Sequence, residues 1–143
     1  MIIPDLNLLI YAYDMRSPYH ETSRQWWEAV ISGTQDIGIP DVVLWGFIRI
    51  CTRKSIYSEP MIVSEAISSV EQWLDSPVVR VLFGSDKHMR MTVQMLAEHG
   101  AAGNLTTDVQ IAAHARINDA TIYTNDADFR LFPTVKYHNP LTA

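Results

Sequence analysis

A chain of 143 residues, 48% hydrophobic and 19% charged, has the material for one domain, 1–143, with a buried core, which excludes a disordered or fibrous protein. Its single cysteine, Cys51, excludes a disulfide framework and a structural zinc site built on paired cysteines, and fits a reducing compartment. The net charge of −5, from sixteen acids against eleven bases, weighs against a nucleic-acid binder with an ordinary basic footprint, unless some acids serve as ligands to a cation.

The chain opens on MIIPD, with no basic n-region and no apolar run of membrane length, so a cytoplasmic protein without signal peptide or membrane span is expected. Ile2–Asp5 reads as a strand in which Pro4 is tolerable only at the end or where its missing N–H faces no partner. Leu6–Tyr13 is apolar enough for a buried helix turn or two. Ser17-Pro18 predicts a helix N-terminus, with Gly33 as the stop after Ser32. Of the adjacent Trp26 and Trp27 only one can face inward; the four tryptophans otherwise read as core. Ile37–Ile39 predicts a strand and Pro40-Asp41 a helix through Lys54, with Val42, Trp45 and Ile48/Arg49 at helical spacing. Ser64 is expected to cap a helix that buries Ile67, Val70 and Leu74. Val78–Phe83 reads as a buried strand. Ser85 caps a helix whose Met91, Met95 and Leu96 face inward and which ends at Gly100. A helix opening at Thr106–Asp108 and strands at Thr121–Tyr123 and Val135–His138 complete the chain. No repeat, low-complexity tract or linker divides it. Strands alternating with helices predict a three-layer α/β fold, a parallel central sheet flanked by helices.

Four acids fall at element ends on such a sheet: Asp5, Asp108, Asp126 and Asp128. Taken singly, Asp108 in a first helical turn is ordinarily a dipole partner, and Asp126 and Asp128 are ordinary turn residues. Asp5 is less easily explained, because an apolar strand rarely ends in an acid without a partner. The crevice beyond the carboxyl ends of parallel strands is where such folds bind ligands. Carboxylates converging there would repel and partly protonate unless a cation joined them, and an all-oxygen set suits Mg²⁺ or Mn²⁺.

Other chemistries lack their parts. The chain has no P-loop, dinucleotide fingerprint or nucleophile elbow, and its five histidines form no H-E-x-x-H. His114 reads as structural. A receiver or phosphatase is disfavoured because Val78–Phe83 is followed by Gly84-Ser85 and Asp5 by Leu6-Asn7.

The chain resembles the PIN-domain family, and within it the VapC-type toxins. The matching residues are Asp5-Leu6-Asn7-Leu8-Leu9, Phe47-Ile48-Arg49, Gly103-Asn104-Leu105-Thr106-Thr107-Asp108 and Thr124-Asn125-Asp126-Ala127-Asp128-Phe129. The resemblance covers nearly the whole chain. It implies a PIN-like fold and a Mg²⁺- or Mn²⁺-dependent endoribonuclease that cuts tRNA or ribosomal RNA, pairs as a homodimer and is held inactive by a VapB-like antitoxin. By position, Asp5 and Asp108 would be the principal metal ligands, Asp126 would complete the metal and catalytic set, and Asp128 would lie nearby as a supporting or substituting acid at the metal. Asn7, Asn104 and Thr124 would orient these acids or the attacking water.

The expected chemistry is in-line attack of metal-activated water on a phosphodiester, with Asp108 kept ionised by the helix dipole. Arg49, Arg16 and Arg130 are the expected phosphate contacts, with Arg53 and Lys54 weaker choices; Arg49 is favoured because it lies one turn from Gly46 on a shared face. Many PIN domains carry a glutamate where this chain has Gly46. That departure removes an acid, favours one ion over two and leaves a second reading open: a catalytically weak or inactive PIN-like protein that binds RNA or antitoxin.

Overall fold

Short runs of β-branched and aromatic residues supply the strands β1 (Ile2–Pro4), β2 (Ile37–Pro40), β3 (Val79–Leu82), β4 (Thr121–Tyr123) and β5 (Lys136–His138). In the computed structural model, which describes residues 1–54, 59–103 and 105–142, they form one sheet in the order β3-β2-β1-β4-β5, with every pairing parallel. Among the described residues six helices flank it: α1 (Leu6–Tyr13), α2 (His20–Ile31), α3 (Asp41–Cys51), α4 (Val63–Leu74), α5 (Asp86–His99) and α6 (Leu105–Asn118). A 3-10 turn, Ala127–Leu131, lies between β4 and β5. Among the described residues no helix is long and apolar enough to cross a membrane.

The chain lays β1 in the centre, builds β2 and β3 outward on one side, then returns to place β4 and β5 on the other. The reversal falls between β1 and β4, the switch point at which an open α/β sheet leaves a crevice beyond its strand ends. Pro4 is the last residue of β1, the position at which a missing amide donor costs least. Pro40 ends β2 in the same way, and each proline is followed by an aspartate at the start of a helix.

Several local expectations are corrected. The helix expected from Ser17-Pro18 starts at His20; Ser17 Oγ instead accepts a hydrogen bond from the Tyr19 amide (3.1 Å) in the turn before it. That helix is capped by Ser32 in a right-handed conformation rather than by Gly33. α3 stops at Cys51, short of Lys54. Ser64 lies inside α4, which follows Ile62 and buries Ala66, Val70 and Trp73, leaving Ile67 and Leu74 exposed. β3 is an edge strand and only partly buried, with Phe83 beyond it exposed, because β-branched content marks fitness for a pleated strand and not its depth. Trp45 is exposed as well. At α5 the expected caps are present: Ser85 Oγ accepts from the His88 amide (3.1 Å), and Gly100 takes a left-handed φ of 78°.

An aromatic cluster within the core explains the seating of α4. The Trp73 ring meets Phe47 at 4.7 Å, Trp27 at 5.6 Å and Tyr13 at 5.8 Å between centroids, and its Nε1 donates to Tyr13 Oη (3.1 Å). These four residues come from α1, α2, α3 and α4, so one indole ties the four helices together. Trp73→Ala is expected to lower the free energy of unfolding by about 3–5 kcal/mol in denaturant titration. A loss below about 1 kcal/mol, the size of an average surface change, would show that the cluster does not hold these helices.

Candidate functional site

β1 and β4 run side by side in register, Ile2 opposite Thr121 through Pro4 opposite Tyr123, so the next residues on each strand, Asp5 and Thr124, emerge together at the switch point. The Asp5 amide extends the ladder by donating to Tyr123 O (2.8 Å). Asp5 is the N-cap residue of α1, yet its side chain does not cap that helix. Its Oδ2 accepts a hydrogen bond from Thr124 Oγ1 (2.7 Å) across 119 residues of chain. The same hydroxyl oxygen accepts from the Asp126 amide (2.8 Å). Asp126 Oδ1 in turn accepts from the Asp128 amide (2.8 Å), capping the 3-10 turn that buries Phe129. One threonine, itself 1% exposed, therefore joins a buried carboxylate to the acidic loop.

Burial pushes the Asp5 carboxyl up to about 6, against the opposing pull of the Thr124 hydroxyl and the Leu6 amide, and the charge of Asp126 adds to the rise. Asp108, in the first turn of α6, is pushed up to about 7 by burial and then by Asp5, Asp126 and Asp128. The four acids expected to share a crevice thus act on one another. Burial and three like charges oppose the ionisation of Asp108 that the α6 dipole was expected to favour.

Coupling is not convergence. Among the described residues no three His, Cys, Asp or Glu side chains are gathered closely enough to clasp a metal ion as they stand. The donor set, carboxylate oxygens alone with one of them firmly positioned, fits a hard divalent cation. Drawing the oxygens onto one point requires side-chain movement.

Of the remaining expected residues, Thr124 is central, Asn7 is exposed on the first turn of α1, and Asn104 lies outside the described residues. Arg130 is exposed on the 3-10 turn, two positions past Asp128. Arg49 is exposed on α3, whereas Gly46, which was expected to share its face, is buried, and a Cβ there would clash with Leu6 Cδ2 at 2.7 Å. Arg16 sits past the far end of α1, 3.4 Å from Glu59, beside a cavity lined by Tyr13, Asp14 and Cys51, and not among the acids. His114 is structural: it is buried, its ring stacks on that of His88 at 3.7 Å, and burial with the neighbouring imidazole pulls it down to about 4. Sequence reasoning passed over Asp41 as a mere helix start. It follows β2 as Asp5 follows β1, its Oδ1 accepts from the Val42 amide (2.9 Å) in the first turn of α3, and it lines a cavity with Thr106 and Gln110 of α6. The repeated Ile-Pro-Asp at residues 3–5 and 39–41 was the available signal.

A family model of the PIN domain matches residues 2–134, and the chain belongs to that family. It is 38% identical over 141 residues to ribonuclease VapC33 of Mycobacterium tuberculosis, covering 99% of each chain. It is 31% identical over 140 residues to ribonuclease VapC37 of the same species, covering 98% of this chain and 97% of that one. Among solved structures it resembles M. tuberculosis VapC20, described as a sarcin-ricin loop cleaving toxin, with a TM-score of 0.72 and 19% identity over 95% of this chain and 99% of that one. A chain of Rickettsia felis VapBC2, solved on a promoter DNA fragment, gives 0.69 and 20% over 97% and 98%.

Both raised carboxyls have folded values above the ordinary 3.8, so between 3.8 and about 7 the folded state holds more protons than the unfolded one. Their contribution to stability is therefore greatest below that window and is lost as pH rises through it. In EDTA, Asp108→Asn is expected to melt a few degrees above the parent at pH 8, with the gain shrinking towards pH 4. Thermal melts that show no gain at pH 8, or the same gain at pH 4, would contradict this account.

Proposed function

We propose that this chain is a divalent-metal-dependent endoribonuclease and the toxin of a toxin–antitoxin pair, acting in the cytoplasm on tRNA or ribosomal RNA. The observation that carries the reading is the buried Asp5 carboxylate, bridged by Thr124 to Asp126 and felt by Asp108, at the switch point of a PIN-family sheet. The relative at 38% identity over 99% of the chain is itself named a ribonuclease, and solved neighbours are toxin–antitoxin complexes.

Asp5, Asp108 and Asp126 are the proposed metal-holding and catalytic residues, with Asp128 adjacent. Mg²⁺ or Mn²⁺ bound there would activate a water and neutralise charge on the phosphodiester. Thr124 holds Asp5 and the acidic loop in place. Without a cation, Asp5 and Asp108 take up protons near neutrality, which is the electrostatic case for an ion. Arg130 and Arg49 are the proposed phosphate contacts. Arg16 is the weaker choice because Glu59 already faces it.

A VapB-like antitoxin is the proposed inhibitor. Pairing of two copies draws support from Trp45, Phe83, Met89 and Val93, large apolar side chains left exposed on α3, past β3 and on α5. The rival reading, a weak or inactive RNA- or antitoxin-binding protein, draws on Gly46, where Leu6 fills the space an added acid would need.

Purified protein with RNA and Mn²⁺ is expected to give products with 5′-phosphate and 3′-hydroxyl ends. EDTA should abolish the cleavage, and Asp5→Asn or Asp108→Asn should cut the rate about a hundredfold or more. Intact RNA at high protein with measurable binding would favour the rival, and 2′,3′-cyclic phosphate ends would refute attack by water.

A further inference from the structure

Beside the acids stands an aromatic group that the proposed hydrolysis does not use. Alternation along β4 sends Ile122 and Thr124 to one face of the sheet and Tyr123 to the other. There the Tyr123 ring stacks on Trp26 of α2, with centroids 5.6 Å apart and planes at 19°. His138, its register partner on β5, meets it edge-on at 5.3 Å and 71°. Trp26 and Tyr123 are only half-buried and His138 is exposed.

The backbone ties these rings to the acid site. The Asp5 amide donates to Tyr123 O (2.8 Å), and the Thr124 amide donates to His138 O (2.9 Å). One residue past His138, Asn139 Nδ2 donates to Asn125 Oδ1 (2.9 Å), and Asn125 adjoins Asp126. An exposed imidazole, backed by two half-buried rings and flanked by the Asn125–Asn139 amide pair, is therefore tied by single backbone hydrogen bonds to Asp5 and Thr124.

Ring faces and amides suit a nucleobase better than a phosphate, since a base offers a flat face to stack and an edge to hydrogen-bond. With a net charge of −5, attraction to phosphate rests on a few arginines such as Arg49 and Arg130, and base stacking would add to it.

We propose that Trp26, Tyr123 and His138 form a shelf on which one unpaired base of the RNA stacks, beside the phosphodiester presented to the acids. This rests on the nuclease reading and adds to it a recognition element: a single-stranded nucleotide flanking the scissile bond, read by stacking.

The test uses the full chain carrying Asp5→Asn, so that RNA is bound and not cut, with short single-stranded oligoribonucleotides in which one nucleotide at a time is made abasic. One abasic position is expected to weaken binding about tenfold. His138→Ala should cause the same loss, and the two losses should not compound. His138→Phe should restore binding, and Tyr137→Ala, on the opposite face of β5, should stay within about twofold. In the cutting protein, His138→Ala should raise KM about tenfold with kcat little changed. If RNA is cut but no abasic position matters, or His138→Ala binds like the parent, the shelf is overturned and the nuclease stands. If the shelf is covered by a protein segment instead, RNA binding will ignore His138 and the proposal fails equally. If the parent neither binds nor cuts RNA, both readings fall. The abasic series on the parent and the His138→Phe variant keep the test decisive should His138→Ala fold poorly.

Discussion

Everything at the candidate site depends on β1 and β4 pairing in parallel at the point where the strand order reverses. Two strands of three residues each contribute little by themselves. Their pairing in one register brings Asp5 opposite Thr124, and a hydroxyl that both donates and accepts then reaches two acids at once. A slip of one residue would turn Thr124 to the wrong face and leave a buried carboxylate without a partner. The register is fixed from below by Ile3 and Ile122, both fully buried and opposite each other.

Electrostatics works against the fold at this point. Asp5 and Asp108 are kept where burial favours the neutral acid, with Asp126 and Asp128 raising the cost of ionising Asp108 further. His114 carries the opposite sign, because burial beside the His88 ring disfavours its charged imidazole. Acidification therefore relieves the carboxylates while loading His114, and α6 carries both Asp108 and His114. Such destabilised groups are characteristic of functional sites, where ligand binding can supply what the fold lacks.

Gly46 shows how packing and chemistry compete in the same space. Leu6 directly follows Asp5, and its Cδ2 stands 2.7 Å from where a Cβ at position 46 would be. A side chain at position 46 would have to push aside the Leu6 methyl group, next in sequence to Asp5. The absent acid is thus matched by an apolar contact between α1 and α3, and the site is built from one sheet end and the start of α6.

Sequence by itself determined the element types and the acids. Alternating short apolar strands and capped helices predicted the parallel α/β fold, and the motifs around Asp5, Asp108 and Asp126 carried the family. Capping at Ser85 and Gly100 was legible because it depends on neighbours within a turn. Depth was not: β3 proved an edge strand, Ile67 and Leu74 stayed exposed while Trp73 went inward, and Trp45 faced solvent, since burial is set by which element arrives from elsewhere in the chain. Nor could sequence show that Thr124 bridges Asp5 to Asp126, or that Trp26 lies on Tyr123. Those contacts join residues separated by most of the chain, and only the tertiary arrangement of the sheet decides them.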